Sequence, residues 1–399
     1  MFSSIVLVII CGICAGVVTG LTPGIHVNLV ALLCVSSADM LLEVVTATHV
    51  ACFIISLAIT HSFLDSIPGV YLGAPDEAQA LAALPGHRML LAGEGHTAVV
   101  LTLIGSFFSL VCCVLLSPLF FAVIESIYSV VRLWIAEILI ITVAYLILKD
   151  KNWIANLFMF VMSGTLGYIV LNIHNQDQVL FPLLSGLFGI SLLLMSLSGG
   201  STPPKQKKNT EYQVPLGQTL AAVGGATVVG FMASFLPGFG SSQAAILATQ
   251  VLRNLGDKGF LILTGGINTV NMALSLVTLV VLDKARNGAV LGIRTITGIV
   301  DIEMYLYLIA AVIIAGCLTV PLAMMLSRSF ALLISKVNYR ALVLFVITFI
   351  TVLVYVFSGW LGFLILIASV CVGLVATTMG VGKNHLMGCL LVPVIIFFL

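Results

Sequence analysis

The chain has 399 residues, 61% of them hydrophobic and only 8% charged, and its mean hydropathy is +1.24. Soluble domains carry roughly 25% charged residues, so a water-soluble fold is excluded, and a net charge of +1 gives no electrostatic case for nucleic acid. At about 20 apolar residues per crossing, the long runs predict an all-α polytopic membrane protein with about 10–12 membrane segments. Runs such as 340–357 and 360–378 lack the alternation of barrel strands, which excludes the closed barrel.

In chain order, Ile5 to Val18 is an apolar run without a basic flank or a small-residue cleavage site, and reads as a retained first helix. It leads into Gly16-Val17-Val18-Thr19-Gly20-Leu21-Thr22-Pro23-Gly24-Ile25-His26-Val27-Asn28. Residues 60–96 are unusually polar, with Thr60, His61, Ser62, Asp65, Asp76, Glu77, His87, Arg88, Glu94 and His96. A plain loop of that length would be exceptional, so a second broken hairpin is expected there. The Lys149-Asp150-Lys151 turn is basic and is placed on the cytoplasmic side. A hairpin over roughly 153–172 and 180–198 follows, its 172–178 connection facing outward because it has no Lys or Arg.

The midpoint holds Ser198-Gly199-Gly200-Ser201-Thr202-Pro203-Pro204-Lys205-Gln206-Lys207-Lys208, helix breakers combined with basic residues. This divides the chain into a first membrane repeat (1–198), a cytoplasmic basic linker (199–213) and a second membrane repeat (214–399). Residues 1–200 carry four basic and ten acidic groups, whereas 214–399 carry nine and four. The second repeat opens with a counterpart of the first segment, Gly230 through Phe235-Leu236-Pro237-Gly238-Phe239-Gly240-Ser241-Ser242-Gln243. Gly265-Gly266-Ile267-Asn268-Thr269-Val270-Asn271 and Asp283-Lys284-Ala285-Arg286-Asn287-Gly288 are expected to form its second broken hairpin. Arg328, Lys336 and Arg340 mark an inner loop, Ser358-Gly359-Trp360 an outer one, Lys383 an inner one, and the C-terminus is placed outside.

The paired Pro-Gly breaks carry the functional argument. Proline removes a helical hydrogen bond and glycine allows the chain to reverse, so each segment is read as a helix, a break at membrane depth and a half-helix. Irregular backbone at that depth is tolerated where it lines a cavity, and corresponding breaks in two halves point to a transporter site. A half-helix start aims free N–H groups and a positive dipole end at that cavity, which suits an anion. The candidate binding residues are Pro23, Gly24, His26, Asn28, Pro237, Gly238, Ser241, Ser242 and Gln243 at the breaks, with Asn268, Thr269 and Asn271 from the later segment. Arg88 and Arg286 are the candidate charge partners, since a guanidinium binds two oxygens at once. Helix capping is the competing role for the serines and asparagines, and interfacial anchoring for the arginines. Asp65, Asp76 and Glu77 are read either as cation ligands or, more simply, as a solvated turn.

No His-Glu-x-x-His, Gly-x-Ser-x-Gly or paired-aspartate motif is present, so an enzyme is not expected, and nine scattered cysteines read as small buried hydrophobes. The two Pro-Gly segments, the Pro75-Asp76-Glu77-Ala78-Gln79-Ala80 and Pro85-Gly86-His87-Arg88-Met89-Leu90-Leu91-Ala92-Gly93-Glu94-Gly95 elements, and the stretch from Gly265 through Lys284-Ala285-Arg286-Asn287-Gly288 form an ordered set. Together they resemble the large membrane subunit of tripartite tricarboxylate transporters, the TctA family, in its shorter stand-alone archaeal form. The resemblance implies a multi-pass permease of the cell membrane built from two inverted repeats. It would move a small organic anion, a carboxylate, by ion-coupled secondary transport; the residues at the breaks make Na+ or H+ the expected coupling ion, and the cysteine spacing gives no case for a metal or other cofactor. It also implies an accessory small subunit and a solute-binding protein in bacterial members; a homodimer is an open expectation. Polyprenyl-phosphate translocases use paired Pro-Gly half-helices too, which leaves a lipid phosphate as the alternative cargo.

Overall fold

The computed structural model describes residues 2–22, 27–73, 80–149, 152–173, 179–198, 205–207, 214–235, 240–252, 255–334 and 338–399. Both Pro-Gly breaks therefore lie outside the described residues, as do His26, Asp76 and Glu77. Among the described residues every regular element is a helix. This is what a bilayer demands, because a helix satisfies its own backbone groups.

The first half contains α1 (Phe2–Leu21), α2 (Val27–Ser36), α3 (Ala38–Val44), α4 (Ala47–Leu64), α5 (Ser66–Leu72), α6 (Ala83–Leu91), α7 (Gly95–Val131), α8 (Ile135–Leu148), α9 (Trp153–Leu171), α10 (Leu180–Leu184) and α11 (Ser191–Ser198). A π-helical turn, Ser185–Ile190, joins the last two. The second half contains α12 (Leu216–Phe235), α13 (Ser241–Val251), α14 (Gly256–Leu282), α15 (Gly288–Thr297), α16 (Ile302–Ile334), α17 (Tyr339–Thr378) and α18 (Gly388–Phe398). Eight helical stretches are long and apolar enough to cross a membrane, with α4 and α5 acting as one from Ala47 to Leu72, and four shorter apolar helices accompany them. The chain is a multi-pass membrane protein. α17 is two helices joined at Gly359, whose φ of +60° is a conformation glycine adopts without strain, matching the expected pair of runs on either side of it.

The core is built on α4, α7 and α14. A Cβ added at Gly105 would run into the carbonyl of Ile262, and one at Gly265 into that of Thr102, so α7 and α14 cross backbone to backbone. Ser106 Oγ donates to the Gly265 carbonyl across that crossing at 3.0 Å. Small residues do this work in membranes, where close packing replaces the hydrophobic drive. The expected break at Gly265-Gly266 is therefore corrected: α14 runs unbroken through it, and the glycines admit a neighbour. The polar stretch from Thr60 to Tyr71 is likewise buried helix, and Asp65 is only 3% exposed, which overturns the solvated-turn reading for that residue.

Helix directions follow from side-chain pairs. α1 and α4 run parallel, with Ser4 beside His49, Gly16 on Thr60 and Gly20 on Leu64. α16 runs parallel to α4 and α5: the Cys52 thiol lies 4.0 Å from the Tyr307 carbonyl, the Thr60 and Thr319 hydroxyls pair at 3.1 Å, and the Tyr71 hydroxyl donates to the Ser327 carbonyl at 2.9 Å. α5 and α16 reach the end where the linker docks. Gln206 accepts from the Gly95 N–H and donates to the Leu90 carbonyl, while Lys207 pairs with Glu94. α14 begins at this same end, because Arg88 on α6 pairs with Asp257 in its first turn. Exposed large apolar side chains, among them Leu148, Ile141, Phe158, Val161 and Val356, place α8, α9 and the first half of α17 against lipid.

Candidate functional site

One face of α14 is polar along its length. Thr264, Asn268, Asn271, Ser275 and Thr278 recur every three or four residues and so form a single stripe, inside a helix otherwise packed with Leu, Val and Ile. Thr264 bonds back within α14, to the Phe260 and Leu261 carbonyls, and most of the other groups reach another element. Asn271 Nδ2 donates to Ser241 Oγ at 3.2 Å, the first residue of α13 after the second break. Ser275 Oγ donates to the Asn271 carbonyl at 2.6 Å and accepts from Asn287 Nδ2 at 3.1 Å. Thr278 Oγ1 donates to the Ser234 carbonyl at 3.2 Å, one residue before the end of α12.

Asn287 connects this stripe to the first half. Its Oδ1 accepts from the Val290 N–H at 2.9 Å, capping α15, and that leaves its amide nitrogen for Ser275. The next residue, Gly288, is in contact with the second residue of α2: a Cβ there would sit 2.6 Å from both Cγ and Oδ1 of Asn28. Gly292 continues the same packing on Ala31. Asn28 and Ser241, each the first polar side chain described after its Pro-Gly break, are thus joined through Gly288, Asn287, Ser275 and Asn271.

A cationic corner adjoins the second break. α14 stops at Asp283, which adopts a left-handed φ of +48°, a conformation uncommon for residues other than glycine. Arg294 holds the Asp283 carboxylate at 2.6 Å. The chain then runs unwound through Lys284, Ala285 and Arg286 to Asn287. Lys284 Nζ donates to the Tyr128 hydroxyl at 2.9 Å, and the Arg286 guanidinium lies 5.5 Å from the centre of the same ring. Tyr128 itself packs edge-on against Phe235, the last residue of α12. Nε and Nη2 of Arg286 are buried and have no hydrogen-bond partner among the described residues.

A buried carboxylate sits one turn along the stripe. Asn268 Nδ2 donates to Asp65 Oδ2 at 2.6 Å and reaches the Ser62 carbonyl at 3.4 Å. His61 lies one turn before Asp65, and its Nδ1 meets the Thr19 hydroxyl at 3.1 Å, near the end of α1. The sequence reading missed His61, Ser275 and Asn287, although the four-residue His61–Asp65 step and the repeat from Thr264 to Thr278 were visible signals.

Not every predicted residue joins this cluster. Arg88 is more than half exposed, bonded to Asp257 at 2.9 Å, and lies at the linker end of α14, about four helical turns from Asn271. Thr269 is fully buried, and its hydroxyl has no partner among the described residues. Ser242 is buried beside Ser241. Pro23, Gly24, His26, Pro237 and Gly238 lie outside the described residues, as does the side chain of Gln243. Among the described residues no three His, Cys, Asp or Glu side chains gather where they would hold a metal ion.

The family model of the tripartite tricarboxylate transporter TctA family matches residues 6–388. The chain belongs to the TctA family. It is therefore a membrane transporter rather than an enzyme. An uncharacterized protein of Methanocaldococcus jannaschii is 28% identical over 402 residues, 98% of each chain. No solved structure matches. The matched span includes both halves, the linker and the π-helical turn, so the whole site described above lies within the TctA family region.

Proposed function

We propose that this TctA-family chain is an ion-coupled carrier of a small organic anion, a carboxylate, and that its cargo binds between the starts of α2 and α13. The observation that carries the reading is the continuous chain of contacts from Asn28 through Gly288, Asn287, Ser275 and Asn271 to Ser241. Two half-helix starts would then offer N–H groups to one ligand. Arg286, with two buried nitrogens that no described residue claims, supplies a planar pair of donors for a carboxylate, and Lys284 adds a second positive charge.

The reading takes the two halves as inverted repeats working by alternating access. Its support is a matched pairing: Gly20 packs on Leu64, and Ser234 accepts from Thr278, so both members of the second pair stand 214 residues after the first. α1 and α4 run toward the linker end, while α14, which begins at the Arg88–Asp257 pair, runs away from it. Asp65, held by the neutral amide of Asn268, is the station for the coupling Na+ or H+. An intramembrane carboxylate is costly unless a function keeps it there. Residence in the cell membrane follows as part of the same proposal, and so do the accessory subunit and the solute-binding protein.

Thermal-shift screening of the purified chain tests the cargo. Di- and tricarboxylates, inorganic phosphate and a polyprenyl phosphate are compared with and without Na+, since a ligand of the folded state raises stability by mass action. The carrier reading expects a shift with carboxylates that Na+ or pH modulates; a shift with the polyprenyl phosphate alone assigns the lipid cargo instead.

A further inference from the structure

A charged recess lies toward the linker end of the bundle, along α13 from Ser241 and outside the Asn28–Ser241 chain of contacts. It encloses about 260 Å³ and is walled by Leu146 of α8, Phe188 of the π-turn, Ile246 of α13 and Phe260 of α14. Its polar lining is Lys383, Asn384, Gln250 and Thr249. Lys383 enters from the turn before α18, and its ammonium donates to Ser191 Oγ at 2.8 Å, to the Phe188 carbonyl at 3.2 Å and to the Leu187 carbonyl at 3.5 Å. All three acceptors are neutral. The ion pairs among the described residues are Arg88–Asp257, Lys207–Glu94 and Arg294–Asp283, so none of those carboxylates balances it. A second cation stands at the mouth, where Lys149 Nζ approaches Gln250 Oε1 at 3.5 Å.

We propose that this recess binds a phosphate oxyanion carried on the headgroup of an acidic phospholipid. A largely buried ammonium held only by dipoles is expensive in a low-dielectric interior, and an oxyanion would offset that cost. Two features favour a lipid over a free ion. The volume exceeds what one phosphate fills, and the remaining wall is aliphatic and aromatic. The α8 wall also borders the bilayer, since Ile141, Tyr145 and Leu148 of that helix are exposed, so a headgroup reaches the recess while its chains stay in lipid. Basic pockets between membrane helices on the cytoplasmic side take acidic headgroups for this reason. The lipid would bridge α8, α13, α14 and the turn before α18, elements from both halves, and its occupancy would bias how they sit together.

The test uses the purified full chain in nanodiscs of phosphatidylcholine alone and of phosphatidylcholine doped with phosphatidylglycerol, read by melting temperature and by lipid retention in native mass spectrometry. Phosphatidylglycerol is expected to raise the melting temperature and be retained, with its apparent affinity about tenfold weaker in Lys383→Gln, the loss of one charge-assisted contact. Lys383→Arg should keep most of the effect. Should Lys383→Gln fail to fold, Leu146→Trp fills the recess from α8 without touching the Lys383 hydrogen bonds, and it should abolish the lipid effect. Equal behaviour in the two nanodiscs, or an undiminished phosphatidylglycerol effect in Lys383→Gln or Leu146→Trp, overturns the site. The same stabilisation by inorganic phosphate alone overturns the lipid assignment.

Discussion

Asn271 and Ser241 are 30 residues apart and belong to different helices, yet the amide of the one donates to the hydroxyl of the other at 3.2 Å. That bond anchors the start of α13 to the polar stripe of α14, and the stripe also reaches α2 through Asn287 and Gly288. Asn271→Ala should loosen α13. Removing one such hydrogen bond costs about 1 kcal/mol of stability, so the variant is expected to fold with a slightly lower melting temperature while cargo uptake into proteoliposomes falls severalfold. Unchanged uptake would mean that the start of α13 needs no tether.

Asp65→Asn separates coupling from binding. The amide keeps the size of the side chain beside Asn268 and removes the charge. Exchange of labelled cargo under counterflow should persist, whereas uptake driven by a Na+ or proton gradient should be lost. Gradient-driven uptake at the native level would take Asp65 out of the coupling path.

Gly105→Ala tests the crossing at the heart of the fold. Its added methyl would meet the Ile262 carbonyl, and backbone cannot step aside as a flexible side chain can. A loss of at least about 3 kcal/mol is expected for such overpacking, visible as little folded protein in size-exclusion profiles. A well-folded Gly105→Ala protein would contradict the close approach of α7 and α14.

The class and much of the layout were legible because apolar length and charged loops are local signals. The runs flanking Gly359 and the helices over 153–171 and 180–198 emerge as expected, and Asn271 and Ser241 meet. The misreadings share one cause. Gly265-Gly266 looks like a break when its neighbours are unknown, and only the approach of Thr102 and Ile262 shows why glycine sits there. Asp65 looks like a turn residue until Asn268, 203 positions away, supplies its partner. That Arg88 pairs with Asp257 in the first turn of α14 is equally hidden in the sequence. Each depends on a contact distant in sequence, which composition and spacing do not encode.

His87 gives a pH dependence outside the spanning helices. Burial lowers its pKa below the ordinary 6.5, although its Nδ1–H donates to the Val70 carbonyl. The folded state therefore holds a neutral ring, and the unfolded chain binds more protons at acid pH. The stabilising contribution is present above the unfolded pKa of about 6.5 and is lost as pH falls from there through the lower folded pKa. Thermal melts from about pH 7 to about pH 5 should show a smaller decline in His87→Gln than in the native chain; parallel declines would exclude His87 as the source.

The central claim is that Arg286, beside the second break, is the cation that holds the cargo, and Arg88 is not. Equilibrium binding of a labelled tricarboxylate to purified Arg286→Gln and Arg88→Gln measures this directly. The dissociation constant should rise about tenfold or more in Arg286→Gln, the loss of a bidentate contact, and stay at the native value in Arg88→Gln. Native affinity in Arg286→Gln, or an equal loss in both variants, would contradict the placement of the site.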